Sequence, residues 1–139
     1  MIKPFHLAIP VTDLKATEHF YGKVLGCSKG RTSEQWIDWD FFGHQLVTHC
    51  VNAMPIIAGH NAVDEKSVPV PHFGVVLSMH DWQVLAQKLT EAQVRFVIKP
   101  YVRFAGEVGE QATMFFTDPS GNALEFKAFA DIEQLFAVD

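Results

Sequence analysis

The chain repeats itself, and that repeat limits its fold more than any other feature. Two strand-like segments open alike on histidine: His6-Leu7-Ala8-Ile9-Pro10-Val11 and, 66 positions later (6 to 72), His72-Phe73-Gly74-Val75-Val76-Leu77. Behind each, the pattern runs strand, helix, then three strands. Residues 5–11 read as a buried strand with Phe5, Leu7 and Ile9 on one face and His6 and Ala8 on the other. Thr12 or Asp13 can cap a helix whose apolar positions Leu14, Phe20, Tyr21, Val24 and Leu25 recur at helical spacing. Gly26 stands where a helix end wants a left-handed residue. Strands are predicted over 27–32, 35–41 and 44–51, with Gly43 in the last turn.

The second half follows the same order. A strand over 72–77 leads to a helix near 81–92 with Trp82, Leu85, Ala86 and Leu89 on its apolar face. Strands are predicted near 94–98, 112–117 and 123–129. Asp118-Pro119-Ser120-Gly121-Asn122 is a strong turn signal between the last two, and 131–136 reads as a short helix. Between the halves, from 52 to 71, periodicity disappears. Pro55, Gly59, Pro69 and Pro71 mark a connection, of a length that is often functional. The expected fold class is therefore α+β: one domain of 139 residues built from two βαβββ modules, at about 1–52 and 71–130. A connection at about 53–70 joins them, and a short C-terminal tail follows. Setting Gly43-His44-Gln45-Leu46-Val47 against Gly121-Asn122-Ala123-Leu124-Glu125 matches Leu46 with Leu124 and Val47 with Glu125.

Composition narrows the partners. A chain that is 48% hydrophobic, with 12 Phe, can bury a sizeable core. Its net charge of −5 comes with no basic cluster, which argues against nucleic acid or an anionic membrane. Apolar runs fall far short of the roughly 18 residues of a membrane-spanning helix. Cys27 and Cys50 are the only cysteines, and the chain shows no signal peptide. The expectation is a soluble protein of the reducing cytoplasm.

Each repeat places a candidate ligand. His6, His72 and Glu125 supply two imidazoles and one carboxylate, a set that can hold a divalent metal and leave positions open for substrate. Ala8 and Gly74, two residues after each histidine and on the same face, leave room beside the rings. Glu125 stands in an otherwise apolar strand, where a carboxylate is costly to bury unless paired or metal-bound. Two readings stand side by side: a metal site, or two hydrogen-bonded structural histidines with Glu125 paired to Lys127 or Arg103.

The chain resembles the vicinal oxygen chelate superfamily, which contains glyoxalase I, bleomycin-resistance proteins, fosfomycin-resistance thiol transferases and extradiol dioxygenases. The resembling stretches are His6-Leu-Ala-Ile-Pro-Val-Thr-Asp-Leu14, Phe20-Tyr-Gly-Lys-Val-Leu-Gly26 and Phe116-Thr-Asp-Pro-Ser-Gly-Asn-Ala-Leu-Glu125. The resemblance implies open, curved mixed sheets around a metal site, with ligands from the first and last strands of each module: His6, Val47, His72 and Glu125. Valine cannot ligate, so the four-ligand site usual in glyoxalase I is not matched. Gln45 and His49 share Val47's face but lie two residues away. A two-histidine, one-glutamate site resembles the extradiol dioxygenases and also the fosfomycin enzymes, which usually carry a threonine where this chain has Ala8.

The expected function is that of an extradiol dioxygenase-like oxidoreductase acting on a small molecule that chelates the metal through adjacent oxygens. Fe2+ is the first choice of metal, with Mn2+, Zn2+ or Ni2+ as alternatives. His49 is the candidate acid–base residue, set against the more ordinary reading of a strand histidine at a hairpin end. Gln45, Val47, Tyr101, Arg103 and Gln111 are expected to line the substrate pocket. Ring-cleaving relatives usually add a tyrosine before the metal glutamate, where this chain has Phe115 and Phe116. A glyoxalase-type lyase, a fosfomycin-type thiol transferase and a non-catalytic binder of the bleomycin-resistance kind are the competing functions. The partners expected are a small-molecule substrate and a second copy in a homodimer.

Overall fold

The computed structural model describes residues 2–56, 59–63 and 66–138. It has two compact units, Met1–Ile56 with Asp118–Asn122, and Ile57–Thr117 with Ala123–Asp139. Both are α+β, with open mixed sheets. No helix among the described residues is long and apolar enough to cross a membrane.

The first unit runs β1 (His6–Val11), α1 (Leu14–Glu18), β2 (Ser28–Thr32), β3 (Trp36–Phe41) and β4 (His44–Cys50). Its sheet has the order β1-β4-β3-β2, with β1 parallel to β4 and the other pairs antiparallel. Asp13 caps α1 by accepting from the Ala16 N–H at 3.1 Å. The single helix expected here is instead split, because α1 passes into a π-helical turn over His19–Val24. The Leu25 N–H reaches back five residues to the Phe20 carbonyl, and Gly26, at φ 77°, ends the turn. Thr17, Phe20, Tyr21 and Leu25 are buried, as are Ile37, Trp39 and Phe41 of β3 and Leu46 and Thr48 of β4. Tyr21 packs between Trp39 and Phe41, with ring centroids 6.0 and 6.4 Å away. The Trp39 indole N–H donates to Thr48 Oγ1 at 3.1 Å, so its one polar atom is satisfied in the core. Phe5 does not join this face: it is 64% exposed, and burial rises along β1 to a fully covered Val11. The core therefore covers only the C-terminal end of that strand.

The turn 118–122 belongs to this unit, and its side chains explain the motif. Asp118 Oδ1 accepts from the Ser120 and Asn122 N–H groups, each at 2.9 Å, closing the turn on itself. Asn122 Nδ2 donates to the Pro10 carbonyl at 2.8 Å, and the Thr12 N–H donates to Ser120 Oγ at 3.0 Å. Asp118 Oδ2 accepts the Tyr21 phenol at 2.8 Å. Burial, followed by the charge of Asp118, holds that phenol well above the ordinary tyrosine value.

The second unit begins with a hairpin, β5 (Gly59–Val63) and β6 (Lys66–Val70). It continues through β7 (Val76–Leu77), α2 (Met79–Glu91), β8 (Arg95–Arg103), β9 (Gln111–Thr117) and β10 (Ala123–Phe129) to a 3-10 turn over Ile132–Phe136. The sheet order β7-β10-β9-β8 repeats that of the first unit, again with a parallel first pair. Ser78 caps α2 through the Asp81 N–H at 3.1 Å. Trp82, Leu85, Ala86 and Leu89 are buried, as their spacing predicts. Trp82 Nε1 donates to the Phe126 carbonyl at 2.9 Å, while Phe116 and Phe126 stack at 5.8 Å. Each such large apolar side chain stabilises the fold by roughly 1.5–3 kcal/mol.

Three local expectations change here. The hairpin lies in the stretch read as an unpatterned connection. Among its residues of described burial only Val68 is buried, packing with Ile98, Phe115 and Ala123, so no alternation is visible. Pro69 sits in a two-stranded ribbon, where proline is tolerated because every strand is an edge. Strand β8 continues past residue 98 to Arg103, taking Pro100 into a register irregularity between Ile98 and Tyr101. The strand expected from residue 72 shrinks to Val76–Leu77, preceded by a single bridge between Phe73 and Leu124.

Gly74 lies in that shortened segment. A Cβ placed there would overlap the Glu125 carbonyl oxygen, so only glycine permits this approach. The room it leaves is occupied by the backbone of β10.

Two outcomes follow. Tyr21→Phe should cost about 1–3 kcal/mol at neutral pH, read from the urea midpoint. A phenol with a raised folded-state pKa stabilises fully below the unfolded value of about 10 and loses that contribution progressively as pH rises from there through the folded value. The gap between wild type and variant should therefore narrow above about pH 10; a constant gap would contradict the assignment. Gly74→Ala should destabilise by about 3 kcal/mol or more, because backbone rather than a movable side chain blocks the methyl. An unchanged urea midpoint would show that β7 can move away from β10.

Candidate metal centre

In the second unit the parallel approach of residues 73–77 to β10 brings two of the sequence candidates together. The Glu125 N–H donates to the Phe73 carbonyl at 2.8 Å, and His72 Nε2 then lies 3.3 Å from Glu125 Oε1. Both side chains are partly covered, 29% and 18% exposed, which limits solvent screening. The imidazole stands edge-on to Phe115, with centroids 4.6 Å apart.

The hydrogen bonds settle which ring nitrogen is available. His72 Nδ1 lies 2.7 Å from the Pro69 carbonyl oxygen, which carries no proton, so Nδ1–H must donate. Nε2 is left facing the carboxylate. A neutral ring would set a lone pair against a carboxylate oxygen, an arrangement that calls for a proton or a cation between them. The donor set suits a cation. Two atoms each about 2.1 Å from one ion lie about 3.0 Å apart at a right angle and about 3.4 Å apart at the tetrahedral angle, spanning the observed separation. A ring N–H held by a backbone carbonyl is also the usual support of a metal-bound histidine. The second Glu125 oxygen, Oε2, accepts the Thr113 hydroxyl at 2.6 Å, which fixes the carboxylate plane.

In the first unit His6 repeats half of this arrangement. Its Nδ1 lies 2.9 Å from Gln45 Oε1, an acceptor, so this ring too keeps Nε2 as its exposed nitrogen. Register strengthens the parallel. Across β1 and β4, His6 pairs with Gln45, Ala8 with Val47 and Pro10 with His49. Across β7 and β10, Val76 pairs with Lys127, which places Gly74 at Glu125 and His72 at Ala123. Val47 thus takes the place of Glu125, as the sequence alignment has it, and it is buried. Among the described residues no group of three or more His, Cys, Asp or Glu is arranged to hold a metal; the pair His72–Glu125 is what the second unit assembles by itself.

The other sequence candidates divide between the two sheets. Gln45 orients His6. His49 is exposed at the end of β4, on the same face as Gln45 and Val47 and opposite Pro10 and Trp36. Trp39 is core, while Trp36 lies half-buried on this open face. In the second unit Tyr101 packs with Val68, Ile98, Phe115 and Ala123, and the Lys66 ammonium stands 5.0 Å from its ring centroid. Arg103 is opposite Gln111 in the register, its guanidinium 5.0 Å from the Phe104 ring centroid. Gln111 is half-buried and donates weakly to the Gly109 carbonyl at 3.4 Å.

Sequence reasoning missed Thr113 and the Pro69 carbonyl. Alternation along β9 could have put Thr113 on Glu125's face, whereas the carbonyl belongs to a hairpin with no pattern to announce it. A cavity of about 630 Å3 in the first unit, lined by Lys15, His19, Lys23, Cys27, Lys29 and Trp39 among others, opens on the helix side of the sheet. It contains none of the candidate ligands.

The family model for the glyoxalase/bleomycin resistance protein/dioxygenase superfamily matches residues 3–126. Among solved structures, a glyoxalase/bleomycin resistance protein/dioxygenase from Alicyclobacillus acidocaldarius is 32% identical over 96% of both chains, with a TM-score of 0.78. A genomically encoded fosfomycin resistance protein from Listeria monocytogenes is 14% identical over 96% of this chain and 99% of its own, with a TM-score of 0.71. A glyoxalase/dioxygenase from Nostoc punctiforme is 16% identical over 93% and 92%, with a TM-score of 0.69. These two show a shared fold. No curated protein matches the chain. With its doubled βαβββ order and a family match over almost its full length, the chain belongs to the glyoxalase/bleomycin resistance protein/dioxygenase superfamily, the vicinal oxygen chelate proteins.

Proposed function

We propose that this protein is a metal-dependent oxidoreductase of extradiol-dioxygenase type, acting on a small molecule that presents two adjacent oxygens. The observation that carries the reading is the commitment of Nδ1 in both His6 and His72 to a carbonyl oxygen, which leaves Nε2 as the ligand atom in each. Glu125 supplies the carboxylate, and Val47 at the equivalent place offers no fourth ligand. This set favours Fe2+ with open positions over the closed four-ligand site of a glyoxalase. Mn2+, Zn2+ and Ni2+ are the alternatives.

When bound, Fe2+ would supply Lewis acidity toward a substrate hydroxyl and a common meeting place for substrate and O2. The chain's own residues do the rest. The Pro69 carbonyl keeps the His72 proton on Nδ1, and Thr113 holds Glu125 in one orientation. Phe115, Ile98 and Val68 form an apolar wall that keeps water from the back of the pair. Tyr101, Arg103 and Gln111 are proposed to line the substrate side, and His49 to hold and release a proton at its imidazole nitrogen. A homodimer in the cytoplasm, with a small-molecule substrate and no nucleic-acid or membrane partner, is the proposed setting.

A second reading, a non-catalytic small-molecule binder, is favoured by buried Val47, which offers no ligand at the place equivalent to Glu125. Metal analysis of protein purified without chelator separates the two. The dioxygenase reading expects iron at close to one per active site, with O2 uptake on adding catechol. His72→Ala should then lose the metal while keeping its far-ultraviolet circular dichroism. Metal-free protein that binds catechols without consuming O2 would leave the binder. Zinc or nickel with hemithioacetal turnover would make it a glyoxalase.

A further inference from the structure

We infer that the molecule taken by this site carries a carboxylate, recognised by the ammonium of Lys127. The inference rests on the metal reading above and adds a substrate class to it.

Lys127 follows Glu125 by two positions on β10, so both side chains leave the same face of the sheet, about 6.7 Å apart along the strand. Directly across from Lys127 is Thr113, the residue that donates to Glu125. Lys127 is half-buried; its backbone N–H donates to the Val75 carbonyl at 3.2 Å, yet its ammonium makes no ion pair or hydrogen bond with any described residue. Glu125 does not serve as its counterion; its two oxygens face His72 and Thr113 instead.

Among the described residues of β8, β9 and β10, the rest of this face offers no substitute. From β9 it presents Gln111, Thr113, Phe115 and Thr117, and from β8 Arg95, Ile98, Tyr101 and Arg103. From β10 it presents Ala123, Glu125, Lys127 and Phe129. Glu125 is the single acid among these, set against Lys127, Arg103 and Arg95, in a chain whose net charge is −5. A partly desolvated ammonium without a counterion is unfavourable by itself. Beside a metal-type pair it becomes a receptor for the charged end of a ligand whose other end chelates. A carboxylate across a six-membered ring from two adjacent hydroxyls has the reach for this, and pairing there selects such molecules over neutral diols.

The test compares two probes, 3,4-dihydroxybenzoate and 4-methylcatechol, by anaerobic titration calorimetry on metal-loaded full-length protein. Wild type should bind the carboxylate-bearing probe about tenfold more tightly or better. Lys127→Gln should erase that preference with metal content retained, and Lys127→Arg should restore part of it. Thermal melts of both variants show whether they are folded, and the Arg variant preserves the test if Gln does not fold. Equal binding of the two probes to wild type, or a preference that survives Lys127→Gln, overturns the inference and leaves the metal reading standing. Binding of neither diol overturns both.

Discussion

A backbone contact organises the second unit. Where residues 73–77 run parallel to β10, the two main chains come so close at Gly74 that any side chain would strike the Glu125 carbonyl. That approach puts His72 beside Glu125, and the Phe73 carbonyl holds the Glu125 N–H. The His72–Glu125 pair is thus a product of sheet pairing, rather than of loops that happen to meet.

The support of the pair comes from two different sources. A hairpin carbonyl at Pro69 sets the tautomer of His72, and a strand hydroxyl at Thr113 sets the plane of Glu125. The same hairpin places Val68 over Ile98, Phe115 and Ala123, so one segment both orients the imidazole and dries the wall behind it. In the first unit a side-chain amide, Gln45, orients His6 in place of the backbone. Different residues thereby leave the same nitrogen exposed in each repeat.

Much of the fold was legible in the sequence because burial there is one-sided. Alternation in β10 and helical spacing at Trp82, Leu85 and Leu89 each report a single covered face. Asp118 and Asn122 announced their turn through residue chemistry. The hairpin was silent, since one inward residue makes no period, and the helix after Asp13 hid its π turn because hydrophobic spacing does not record hydrogen-bond register. At the site, the pairing of His72 with Glu125 followed from repeat and alternation. The glycine beside it suggests ligand space in the sequence, whereas its cause in the structure is backbone contact. That Thr113 stands within reach of Glu125, beyond sharing its face, needed the register of β9 against β10.

The central claim is that His72 is held as a ligand, with its proton on Nδ1 and its Nε2 directed at a cation beside Glu125. Long-range 15N spectra of the histidine rings, recorded while Zn2+ is added as a diamagnetic probe, read this directly. The expected result is a His72 Nδ1 that keeps its proton throughout while Nε2 moves to a metal-bound shift. A proton that stays on Nε2 at saturating metal, or an unprotonated Nδ1, would contradict it.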